Sequence, residues 1–168
     1  MQYTRFVLWL LAAVAFLTGC VNPPEYPEEP VIQYEGISKN TIYQFTNGPQ
    51  DSIVIHFSFT DGDGNISSED STDIFIKDSR FPELPPTIVG AFPPIPAEGT
   101  GNGISGDVFF TVINSGQGVC CIFNDRFCVA DERFPADTLT YEIYILDQAG
   151  NQSNTIRTEQ IRVLCLGQ

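Results

Sequence analysis

Asp61-Gly62-Asp63-Gly64-Asn65 sets three oxygen-bearing side chains at alternate positions with glycines between them. Glycine lets so short a loop turn all three toward one point, and clustered carboxylate and amide oxygens suit a hard cation such as Ca²⁺. Three ligands do not complete a shell, since Ca²⁺ takes roughly six to eight oxygens. The EF-hand pattern is not met, because Ile66 stands at its glycine position and Thr72 at the place of its bidentate glutamate. The competing reading is that Asp-Gly and Gly-Asn form turns, through Asx hydrogen bonds and positive φ.

Groups for catalysis are sparse. His56 is the only histidine, and alternation with Ile55 and Phe57 turns it outward beside Val54 and Ser58. No second imidazole exists, and spacing pairs no serine or cysteine with it. The carboxylate pairs Glu69-Asp70 and Asp131-Glu132 lie in polar loop sequence, where they read as solvated charge rather than a buried acid–base dyad. The expectation is a domain that is not an enzyme, with no catalytic residue and no required cofactor. Eight Lys+Arg stand against 21 Asp+Glu, a formal charge of −13. That balance argues against nucleic acid and against electrostatic adhesion to anionic lipid; it serves solubility and leaves divalent cations or basic partners open.

The elements that must position these groups read as strands. Ile53, Ile55, Phe57 and Phe59 alternate with Val54, His56, Ser58 and Thr60, and Leu139, Tyr141, Ile143 and Ile145 alternate with Thr140, Glu142, Tyr144 and Leu146. Shorter alternations cover 74–77, 108–113 and 161–165, with weaker ones at 31–37 and 41–45. No long stretch after the first twenty residues keeps a helical period. Short strands separated by turn residues predict an all-β antiparallel sandwich or barrel. The proline- and glycine-rich segment 81–106 cannot pair as a central strand, so Ile88, Val89, Phe92 and Ile95 either cover a sheet edge, the favoured reading, or form an exposed sticky loop. Val21 to Pro30 carries four prolines and three glutamates and reads as a tether, spanning about 30 Å if extended.

Cys120, Cys121, Cys128 and Cys165 show neither C-x-x-C nor zinc-ligand spacing. They read as staples, with three possible connectivities. Antiparallel strand order brings them to one end of the sandwich, opposite the Asp61 loop. The expectation is a bridge from Cys120 or Cys121 to Cys165, and a second that closes a small loop with Cys128. A vicinal Cys120-Cys121 bridge is geometrically strained and disfavoured.

Two resemblances add an address and a family. Arg5, the apolar run from Phe6 to Leu17, and the end Leu17-Thr18-Gly19-Cys20 resemble a bacterial lipoprotein signal with its lipobox. The resemblance implies cleavage before Cys20, diacylglycerol on its thiol, and membrane attachment through that lipid. Val21 lacks the aspartate associated with inner-membrane retention, so the implied location is the outer membrane, facing periplasm or medium. The stretch Asp137-Thr138-Leu139-Thr140-Tyr141-Glu142-Ile143 resembles the D-x-A-x-Y-x-C signature of immunoglobulin-like domains, with Ile143 in place of the cysteine. The segments 57–66 and 144–154 are similar to those of single-domain immunoglobulin-like lipoproteins of Bacteroidetes-type bacteria.

That likeness implies an immunoglobulin-like sandwich of about seven strands at 31–168, preceded by a leader at 1–19 and the lipidated tether at 20–30. It also implies a corner hydrogen bond from Tyr141, and it places the loops after the second and sixth strands at one end. Asp147 and Asn151 would then join Asp61, Asp63 and Asn65 in one polar apex that binds Ca²⁺ weakly. The function expected is adhesion, scaffolding or partner binding at the cell envelope. The alternative is glycan binding for a polysaccharide-uptake system; it lacks tryptophan, since Trp9 lies in the leader, and would rely on Tyr26, Tyr34, Tyr43 and Tyr144.

Overall fold

The computed structural model describes residues 25–44, 50–67, 72–95, 103–115, 119–124, 126–128 and 131–165. The leader at 1–19, the lipobox cysteine Cys20, and the pair Glu69-Asp70 lie outside the described residues. Among those residues there is no helix, and the strands are β1 (Val31–Ile37), β2 (Thr41–Tyr43), β3 (Ser52–Asp61), β4 (Ile74–Asp78), β5 (Ile88–Gly90), β6 (Ile104–Ile113), β7 (Ile122–Phe123), β8 (Arg126–Phe127), β9 (Ala136–Leu139), β10 (Tyr141–Ile145), β11 (Ile156–Arg157) and β12 (Ile161–Leu164). The protein is all-β.

One layer runs β1-β3-β6, all antiparallel, with β3 at its centre. Strict alternation along β3 buries Ile53, Ile55, Phe57 and Phe59 and leaves Val54, His56, Ser58 and Thr60 half-buried on the other side. The β1–β3 register slips by one residue between Tyr34 and Gly36, where Gly36 takes φ of 153°, a conformation that favours glycine.

The second layer is built from two ladders, β2-β12-β9 and β11-β10-β4-β5. They are continuous, because β9 and β10 are separated only by Thr140, and Tyr141 and Thr158 bond across the break. The expected single strand over Leu139 to Ile145 is therefore two. Its partner ladder gains one residue there, passing from Glu142↔Arg157 to Leu139↔Ile161. Inward alternation survives the break, so Leu139, Tyr141, Ile143 and Ile145 are all buried. One pairing departs from antiparallel order: β2 lies parallel to β12.

Inward residues of both layers form one core cluster, from Ile32, Phe57 and Val112 on one side to Ile76, Ile143 and Val163 on the other. Each fully buried side chain of this size contributes roughly 1.5–3 kcal/mol. Among the described residues the strands number twelve rather than about seven, since breaks divide the longer runs and β5, β7, β8 and β11 are pieces of two or three residues. Within 81–106, Ile88–Gly90 becomes an edge strand on β4 that buries Ile88, with Phe92 buried just beyond it, while Val89 faces solvent. The cysteines pair as Cys120–Cys128 and Cys121–Cys165. Tyr141 is buried, yet among the described residues its hydroxyl makes no corner hydrogen bond; its backbone, not its ring oxygen, makes the local tie, to Thr158.

Candidate metal site

β3 ends at Asp61, and the next six residues form the loop 62–67 at the apex of the sandwich. β10 ends at Ile145, and its following loop reaches the same apex. Two bonds from Gln148 join the loops: its backbone N–H donates to Asn65 O at 3.0 Å, and its side-chain amide donates to Ser67 O. Gly64 and Gly150 take φ of 70° and 85°, the positive values that let each loop reverse tightly.

Asp61, Asp63 and Asp147 each bring a carboxylate oxygen to within 4.8 Å of the others. Asp61 is fully buried, and its Oδ2 accepts a hydrogen bond from the Asn65 backbone N–H at 2.9 Å. Asp63 Oδ2 accepts from the Asn65 side-chain amide at 2.6 Å. The remaining side-chain oxygens of this loop, Asp61 Oδ1, Asp63 Oδ1 and Asn65 Oδ1, are buried and have no hydrogen-bond partner among the described residues. Buried acceptors are normally satisfied, and an unpaired carboxylate oxygen out of water is costly. Burial lifts the Asp61 carboxyl to about 6 against the Asn65 N–H, and the charges of Asp63 and Asp147 push the same way as burial.

Asn151 does a different job from the one expected of it. Its backbone N–H donates to Asp147 Oδ1 at 2.7 Å and its side-chain amide donates to Asp147 Oδ2 at 2.8 Å. It holds the Asp147 carboxylate in place as a positioning residue, with its donor rather than its oxygen turned to the site. The donor set for a cation is then Asp61, Asp63, Asn65 and Asp147, all oxygen. Such a set suits Ca²⁺, which accepts irregular geometry and completes its shell with water, better than Mg²⁺, which demands a near-ideal octahedron.

The other sequence candidates are spread elsewhere. His56 lies five residues before Asp61, roughly 17 Å along an extended strand; its Nε2 bonds Asp107 Oδ1 at 2.8 Å and its ring stacks on Phe109 at 4.3 Å. Arg133 bonds hold the half-buried Asp131 down to about 2, and Glu132 is exposed. Tyr26, Tyr34, Tyr43 and Tyr144 stand on four separate segments, Tyr144 stacked on Phe75.

Compared with protein-family models, with curated proteins and with solved structures, the chain matches none. Sequence reasoning missed the cluster in which Arg80 donates to Asp78 at 2.6 Å and to Asp137 at 2.6 Å, with Asp137 also accepting from Ile122 N–H at 2.9 Å. The only signal for it was Asp137 itself, read as a family marker. The cluster ties β4, β7 and β9 beside a cavity of about 310 Å³ lined by Phe81, Leu84 and Phe127. All of its charges are paired.

Proposed function

We propose that the chain is a lipid-anchored protein of the bacterial cell envelope whose non-catalytic, immunoglobulin-like domain binds Ca²⁺ at the Asp61 apex and serves adhesion, scaffolding or partner binding. The observation that carries the cation site is the group of three buried, unpartnered oxygens on Asp61, Asp63 and Asn65 beside the Asp147 carboxylate. One divalent cation supplies all of them with a common partner and offsets the mutual repulsion of the carboxylates. The immunoglobulin-like reading is supported by the strand order, β1-β3-β6 facing β2-β12-β9 and its continuation β10-β4-β5. The anchor is supported by Leu17-Thr18-Gly19-Cys20. Glycan binding is not favoured, because the tyrosines form no shared platform.

Calorimetry of the mature domain with Ca²⁺ tests the site. The expected dissociation constant is ~10⁻⁴–10⁻³ M, as in extracellular modules, with weaker Mg²⁺ binding. Absence of binding heat, with a melting temperature indifferent to Ca²⁺ and chelator alike, would make the loop a turn only. Mass spectrometry of the mature N-terminus tests the anchor, with lipid on Cys20 expected and an intact Met1 refuting it.

A further inference from the structure

Residues 25–30, read from composition as part of a free tether, lie against the Asp61 loop. A Cβ built on Gly62, the residue between Asp61 and Asp63, would overlap the carbonyl oxygens of Tyr26 and Pro27. A Cβ on Gly103 would come within 2.7 Å of the Tyr26 ring and 3.0 Å of Asp61 O. The two glycines thus form a slot that the segment fills, and Pro30 is buried behind it. Just beyond, Ile32 N–H donates to Asn154 Oδ1 at 2.8 Å and the Asn154 side chain donates back to Ile32 O at 2.9 Å, fastening the segment to the loop that carries Asp147.

The segment also brings three carboxylates of its own, Glu25, Glu28 and Glu29, all exposed, to an apex that already holds those of Asp61, Asp63 and Asp147. Like charges oppose docking, and a divalent cation at the site lowers that opposition. Gly62, which receives the segment, stands between two of the carboxylates that a cation would draw together. Cation binding and segment docking therefore select the same conformation.

We infer that Ca²⁺ at the Asp61–Asp147 site latches residues 25–30 onto the domain, so that the cation controls how firmly the sandwich is held to the chain leading to its anchor. This rests on the cation site proposed above. Coupling between two such events is reciprocal: Ca²⁺ tightens docking by the factor by which docking tightens Ca²⁺ binding.

A glutamate-specific protease applied to the full chain tests the latch, reading cleavage after Glu25 and Glu28 in Ca²⁺ and in chelator. Ca²⁺ is expected to slow cleavage about fivefold or more, the lower end of ordinary coupling. Gly62→Ala keeps every cation ligand but blocks the slot; it is expected to bind Ca²⁺ with affinity lowered by the same factor and to be cleaved fast with or without the ion. Tyr26→Ala, which empties the contact at Gly103, is expected to act in the same direction and serves if Gly62→Ala does not fold. Calorimetric Ca²⁺ binding with cleavage unchanged by the ion would overturn the latch and leave the cation site standing. Wild-type affinity in both variants would also overturn it. Loss of all Ca²⁺ binding in the wild type would overturn the site and the latch together.

Discussion

Asn154 pairs with Ile32 as a strand residue would. Its side-chain carbonyl accepts from Ile32 N–H at 2.8 Å and its amide donates to Ile32 O at 2.9 Å, so a side chain completes the ladder at the free edge of β1 across 122 positions of chain. The neighbouring Ser153 hydroxyl accepts from Ile145 N–H at 3.0 Å and thereby closes the end of β10. Replacing Asn154 with Leu leaves two half-buried backbone groups without partners. The expected loss is about 2 kcal/mol in urea denaturation, and Asn154→Asp, which keeps the acceptor and loses the donor, should lie between.

Asp61→Asn separates cation binding from the cost of the charge. The substitution retains an acceptor for the Asn65 N–H while removing one of three crowded charges, two of them buried. In chelator the variant is expected to melt above wild type, and the rise that millimolar Ca²⁺ produces in wild type should vanish. Differential scanning fluorimetry in matched buffers reads both effects. Asp63→Ala is expected to lose the Ca²⁺ response as well.

Asp51 sets part of the acid limit of stability. Burial pushes its carboxyl up, but the Lys39 ammonium and the N–H groups of Ser52 and Tyr43 outweigh burial and hold it below the ordinary 3.8. A lowered folded value means that the unfolded chain takes up this proton first. The contribution is therefore complete above the unfolded value and disappears as pH falls below about 4 through the folded one. Asp51→Asn should lower stability at pH 7 and flatten the fall between pH 5 and 3 in a denaturation series.

The two disulfides should differ in weight. Cys121–Cys165 closes a separation of 44 residues and pins the end of β12, whereas Cys120–Cys128 closes 8. Loop entropy assigns about 4 kcal/mol to the first and about 2.5 kcal/mol to the second. Paired replacements, Cys121→Ala with Cys165→Val against Cys120→Ser with Cys128→Ser, compared by guanidinium unfolding, should preserve that order.

Alternation alone determined which side chains face the core. It held at Ile53 to Phe59, and it held from Leu139 to Ile145 even though the strand breaks at Thr140, because facing is a local property of extended backbone with a period of two. The Asp61 loop was legible for a similar reason, since oxygen side chains at alternate positions between glycines can turn to one point wherever the loop lies. Asp147 entered only through a family likeness, and nothing local said that Asn151 would spend its donors on that carboxylate. Proline content showed that residues 25–30 are not helical, but composition carries no information about the surface on which an extended segment rests. Which strands neighbour one another, that β2 runs parallel to β12, which cysteine meets Cys165, and that Asp61 is sealed from water were decided by tertiary structure. Each depends on groups far apart in the chain meeting as two layers close on a shared core, and the energy of that closure belongs to the whole sandwich rather than to any segment of it.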